Sequence, residues 1–285
     1  MIPTGKEPRC PGPLGGPHTM FDGSFIIEFL QPPAELDASV LLRATYRGGH
    51  EATKLGKQHP QSPPLHIHFY QFESFLVEQG ALGTTTTYEM VDTVHTTTGN
   101  HTNWLSRRVN TSLPRRNIHG VTVIPPWTPH NFWPVPPDHP FWSTPSGQEY
   151  EQCLPAGRNT DTTFLLWGHP RTSPAEFSVA GKRLTTSFPP DMDAAFFLAL
   201  LDIVDAVHGQ RITMSLGLGA VLMMMQTASD SCLVFAPRAW WLGSLRWRIP
   251  WAGQVTMEFF RRLFDQRGAR QIVGDVISQR VLKGE

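Results

Sequence analysis

The 285-residue chain balances 24 Lys+Arg against 24 Asp+Glu, has no formal net charge and holds only 17% charged residues. That length suffices for one sizeable core and a smaller second unit, and without a basic stripe nucleic-acid binding has no electrostatic basis. Cys10, Cys153 and Cys232 are too widely spaced for a disulfide framework or a zinc finger, and Met1–Met20 has no apolar signal segment, so an intracellular, cytoplasmic protein is expected.

In chain order, residues 1–22 read as a flexible lead rich in Pro and Gly. Short strands are expected at Ser24–Leu30, Ser39–Tyr46, Leu65–Tyr70, Ser74–Val77, Thr84–Val94, Gly120–Ile124 and Thr162–Trp167, from their β-branched and aromatic content between turn clusters. Many short strands without long intervening helices point to one antiparallel barrel or sandwich, here residues 23–170. Residues 171–285 read as a linker and a helical extension. Helices are expected at Asp191–Val207, capped by Asp191 or Asp193 and ended by Gly209, and at Val255–Phe264 and Ile272–Leu282; Ile212–Gln226 is a further apolar stretch.

The segment Pro64–Gly80 carries the strongest chemical signal. His66 and His68 are two apart, so on a strand they share a face, and Glu73 begins the next apolar run. A second segment, Gly120–Asn131, ends a strand in Pro125-Pro126 and places His130 at the start of the next. Three imidazoles and one carboxylate make a metal site with one or two positions left open.

The spacing His66-x-His68-x4-Glu73-x6-Gly80 resembles the first motif of the cupin superfamily, and Gly120 through Pro125 to His130 resembles the second. The second motif's opening glycine falls one residue late, with His119 in its place. Trp127 stands where the family often has glycine, Pro134 where it often has asparagine, and Pro60 where the first motif usually has glycine. The resemblance spans about Phe25–Trp167 and implies a mainly β, single cupin (antiparallel jelly-roll) barrel, with metal ligands His66, His68, Glu73 and His130. The layout of one barrel followed by a helical extension is similar to fungal cupin-domain oxidoreductases of salicylaldehyde-type polyketide clusters. That likeness implies a small polyketide-type substrate and short-chain dehydrogenases as pathway partners. Cupins often dimerise, so a homodimer is a further expectation from the same resemblance.

Strand parity places other residues beside the ligands. Tyr70 shares the face of His66 and His68, as a hydrogen-bond donor or acid for a bound oxygen, or else as a core tyrosine. Phe75 and Val77 share that of Glu73, and Thr128 and Phe132 that of His130; Phe132 and Trp133 are expected at the barrel mouth. His95, His101, His119, His139 and His169 lie in turn-rich regions and read as surface or supporting residues. The tail interleaves Trp240, Trp241, Trp247 and Trp251 with Arg238, Arg246 and Arg248. This suits peripheral membrane contact through 212–251, or a flap packing its tryptophans on the barrel.

The expected function is a metal-dependent oxidoreductase on an aromatic or aldehyde-bearing polyketide intermediate, with Fe(II) first and Mn(II) or Zn(II) as rivals. Two alternatives stand beside it: a non-redox isomerase, dehydratase or cyclase using the same ion, and a non-catalytic scaffold for partner enzymes or membrane. Nicotinamide and nucleoside triphosphate motifs are absent from the sequence.

Overall fold

The computed structural model describes residues 14–36, 38–102, 115–116, 120–169, 193–211, 231–234 and 242–264. Two antiparallel sheets dominate it. The seven-stranded sheet runs, edge to edge, β1 (His18–Met20), β2 (Phe25–Leu30), β3 (Val40–Tyr46), β12 (Thr162–Gly168), β5 (Glu73–Gln79), β10 (Thr122–Ile124) and β9 (Arg115–Arg116). The six-stranded sheet runs β13 (Ser231–Leu233), β4 (His66–His68), β11 (His130–Pro134), β6 (Leu82–Thr86), β7 (Val91–His95) and β8 (Asn100–Thr102). In chain order the strands change sheet at β3–β4, β4–β5, β5–β6, β8–β9, β10–β11, β11–β12 and β12–β13, which makes the mainly β, jelly-roll barrel expected.

Alternation along the strands explains the core. Phe25, Ile27 and Phe29 of β2 and Leu42, Ala44 and Tyr46 of β3 point inward, meeting Phe75, Val77, Phe132 and Phe164 in one cluster. On the outer face Arg43 lies between Glu78, at 2.9 Å, and Glu28, at 3.4 Å. Each inward aromatic or aliphatic side chain contributes roughly 1.5–3 kcal/mol by leaving water.

The expected strands agree with the observed ones to within a few residues, with three corrections. Thr84–Val94 is a hairpin of β6 and β7, turned through Thr87 (φ 65°) and Met90 (φ 60°), which neither Gly nor Pro announces. His18–Met20 lies in the expected lead yet pairs with β2. And β13, from the expected extension, pairs with β4, setting Leu233 opposite His66 and Ser231 opposite His68. The barrel therefore takes a strand from the last quarter of the chain.

Among the described residues there are three α-helices: α1 (Pro145–Gln152), α2 (Ala194–His208) and α3 (Leu245–Phe264). The Asp193 carboxylate accepts from the Phe196 N–H at 2.8 Å, a cap of the kind worth about 1 kcal/mol, and Gly209 follows the last turn. Leu198 and Leu201 are buried in the barrel core, with Ala194, Phe197 and Val204 packed beside them, so α2 lays an i, i+3, i+7 stripe on the barrel. Helix α3 begins ten residues before the expected Val255 and contains Pro250. Within the tail, Arg246 is buried, donates to the Tyr88 carbonyl and lies over the Tyr88 ring. No described helix is long and apolar enough to cross a membrane. The expectations at residues 1–13, Asp191, Ile212–Gln226, Ile272–Leu282, His119, Arg238, Trp240 and Trp241 lie outside the described residues.

Candidate metal centre

Strand pairing brings the two motifs together. His130 is opposite His66 across the β11–β4 pair, and Ile124 is opposite Glu73 across β10–β5. As a result one ligand-type atom each from His66, His68, Glu73 and His130 falls within 4.8 Å of the others, and all four residues are buried. The ring centroids of His66 and His130 are 4.5 Å apart, and those of His68 and His130 5.1 Å.

Two backbone carbonyls orient the imidazoles. His66 Nδ1–H donates to the Pro64 carbonyl at 2.9 Å, and His130 Nδ1–H to that of Thr128 at 2.8 Å. A carbonyl only accepts, so both Nδ1 atoms carry the proton and both Nε2 atoms are the ring's remaining ligand positions. Burial, together with neighbouring His130, pushes the His66 imidazole down to about 3, although the Pro64 carbonyl acts the other way. His66 is therefore neutral at ordinary pH, the form in which imidazole ligates.

His130 Nε2 lies 2.7 Å from Glu73 Oε2, and His68 Nε2 lies 3.7 Å from the same oxygen. With His130 Nδ1–H already engaged, a contact this short requires either a proton shared between Nε2 and the carboxylate oxygen or a cation serving both atoms. The donor set, three imidazoles with one carboxylate, suits a divalent first-row metal. These residues fit the ion that the motifs imply.

The cluster opens on a cavity of about 250 Å³. Its walls are Ile27, Leu42, Ala44, Phe132, Phe164 and Leu166, with Phe196, Phe197 and Leu200 of α2 covering it. The other expected pocket residues separate. Phe132 lines the cavity. Phe75 and Val77 are buried in the barrel core without lining it, Phe75 packing edge-on against Phe132 at 5.2 Å. Thr128 is buried and serves through its carbonyl on His130.

Two expectations are corrected. Trp133 is not at the mouth: it neighbours Phe132 on β11 and so faces the other side of the sheet. There it packs with Trp142 and Tyr150 and donates from Nε1 to Thr85 Oγ1 at 3.1 Å. Tyr70 does not line the cavity, because β4 ends at His68 and the strand parity ends with it. Tyr70 packs instead against the cluster of Leu65, Ile67, Phe69 and Cys232. His95, expected in a turn, is buried, with Nε2 2.7 Å from Thr84 Oγ1.

The departure at Trp127 has a physical reading. Its φ of 65° is the left-handed conformation that favours glycine. Trp127 N–H donates to the His68 carbonyl at 2.8 Å, and its ring packs on Phe69 and on Trp247 of α3, with centroids 4.7 and 5.2 Å away. Helix α3 thus presses on the turn that leads into His130. The α2 residues on the cavity and the carbonyls of Pro64 and Thr128 had no signal in the sequence. Carbonyls carry no residue code, and α2 reaches the barrel only through the tertiary fold.

No family model matches the chain. Among curated proteins it is similar to "Probable oxidoreductase virH" of Hypocrea virens, 29% identical over 150 residues; the chain aligns over 53% of its own length and spans about half, 47%, of that relative. Solved structures with some likeness include the Schizosaccharomyces pombe Cnp3 cupin domain, at 10% identity, TM-score 0.30, 58% of this chain and 75% of that one. The capsular polysaccharide assembling protein CapF of Staphylococcus aureus is 12% identical, TM-score 0.29, over 53% of this chain and 28% of that one. KdgF from a Halomonas species is 10% identical, TM-score 0.27, over 53% and 82%. The resemblance to fungal cupin-domain oxidoreductases, carried by the layout of one barrel and a helical extension, thus meets a fungal relative named as an oxidoreductase.

Proposed function

We propose that this chain is a metal-dependent oxidoreductase acting on an aromatic or aldehyde-bearing, polyketide-type intermediate. The observation that carries the reading is the convergence of His66, His68, Glu73 and His130 at one end of a largely apolar cavity. A bound Fe(II), with Mn(II) or Zn(II) as rivals, supplies Lewis acidity and, where the ion is redox-active, electrons.

The chain's own residues do the rest. The Pro64 and Thr128 carbonyls hold the His66 and His130 rings, so neither has to reorient on binding. Phe132, Phe164 and Leu166 exclude water and receive the apolar body of the substrate. Phe196, Phe197 and Leu200 close the cavity over it. The fungal relative named as an oxidoreductase supports the redox reading, and the polyketide class extends the layout resemblance.

Elemental analysis of the purified protein, paired with aerobic and anaerobic assays on an alkyl-substituted aromatic aldehyde or its reduced precursor, tests this. Stoichiometric metal and turnover that requires dioxygen are expected. Undiminished anaerobic turnover by metal-loaded protein would replace the redox reading with a metal-assisted dehydration or cyclisation. Full activity in His66→Ala would sink both.

A further inference from the structure

The cavity has a second polar pole. Outside the four-residue cluster, the polar side chains on its wall among the described residues are Gln61 and Ser62. Strand register sets the two poles apart. Glu73 pairs with Gly168, and Gly168 with Val40 at the start of β3. Tyr46, whose phenol O–H donates to Gln61 Oε1, ends the same seven-residue strand. The two poles therefore lie toward opposite ends of β3, and with Gln61 five residues before His66 their backbones are at most about 18 Å apart. The wall between them is apolar.

Gln61 is held in place from several sides. Its backbone N–H donates to His59 Nδ1 at 3.1 Å, and His59 Nε2 lies 3.0 Å from Ser24 Oγ. The Ser62 N–H donates to the His59 carbonyl at 2.8 Å. Tyr46 is fully buried, and burial raises its phenol well above the ordinary value against the opposing hydrogen bond from Ser62, so it stays a donor. With Oε1 engaged by that donor, the group that Gln61 offers is its Nε2–H.

We propose that Gln61 is a specificity-determining residue, and that the cavity takes amphiphiles bearing an oxygen function at both ends. One oxygen meets the His66–His68–Glu73–His130 cluster; an acceptor oxygen at the other end, a carbonyl or an ether, takes the Gln61 Nε2–H. A chain or ring system without polar atoms lies between, against Leu42, Ala44 and Phe164. This rests on reading the cavity as the substrate site. It narrows the substrate class, because an alkyl end would offer the half-buried Gln61 donor no acceptor.

The test titrates the full chain calorimetrically with dodecanoate and with its terminal methyl-ketone derivative, in metal-loaded and in chelated protein. The ketone should bind about 3- to 10-fold more tightly, the effect of one neutral hydrogen bond. Gln61→Glu keeps the shape and the Tyr46 contact but only accepts, and Gln61→Leu neither donates nor accepts. Both should lose the preference, because neither side chain offers the ketone a donor. Equal affinity of wild type for the two probes, binding of neither, or a preference that survives in Gln61→Leu would overturn the proposal. A ketone preference in protein that retains no metal would uphold Gln61's role while defeating the metal reading. Stoichiometric metal without a preference would do the reverse.

Discussion

His59 and the pair His66 and His130 are all buried, and their hydrogen bonds separate them more clearly than their burial does. His59 uses both ring nitrogens on its own protein: Nδ1 accepts from the Gln61 N–H and Nε2 contacts Ser24 Oγ, which in turn donates to the Phe21 carbonyl at 2.7 Å. Its ring packs edge-on against Tyr46 at 5.1 Å. His66 and His130 each donate from Nδ1 to a backbone carbonyl; His130 brings Nε2 to the Glu73 carboxylate, and His66 offers a ligand atom within 4.8 Å of the other three residues'. A histidine satisfied on both nitrogens is a strut. One satisfied on Nδ1, with Nε2 converging on other ligand types, is poised to bind a cation.

The comparison breaks most sharply at the metal end. His130→Ala is expected to weaken metal binding by more than ~100-fold, beyond the usual cost of losing a residue that merely supports a ligand. Metal content of the dialysed protein measures it; full retention would remove His130 from the ligand set. At the opposite end, His59→Ala is expected to leave metal content unchanged and to cost about 2 kcal/mol of stability, since the Gln61 N–H and Ser24 Oγ lose a buried partner. Denaturant midpoints read this, and a fall in metal content would show that the two ends are coupled.

The smallest effect is in pH. Burial, with lesser contributions from His50 and His208, lowers His59 from 6.5 to about 4. The fold therefore favours the neutral ring. The contribution of His59 is complete above about pH 6.5 and is lost as the pH falls through about 4, because the unfolded chain binds the proton first. Stability should decline across that window, and less steeply in His59→Gln, which has no charge to gain. An identical slope in the variant would assign the decline to other groups.

Much of the barrel was legible because strands advertise themselves locally. β2, β3, β5 and β12 are short runs rich in β-branched and aromatic residues between turn clusters, and His66, His68, Glu73 and His130 sit at spacings that survive without knowledge of the fold. Parity failed where a strand ended early, at Tyr70, or where adjacent residues were given one face, at Phe132 and Trp133. Thr84–Val94 concealed a hairpin because Thr87 and Met90 adopt positive φ without glycine. The role of Gln61 was invisible, since its donor is defined by Tyr46, which becomes its neighbour only when the loop before β4 folds against β3.

By itself, then, the sequence determined the ligand types, the strand-rich first part of the chain and the helical pattern of α2, all of which depend on neighbours a few residues away. The tertiary structure alone decided that β13 flanks the ligand strand, that α2 closes the cavity and that the cavity has a second polar end. Each of those depends on pairings between distant segments, made where apolar faces and unpaired strand edges find one another in space.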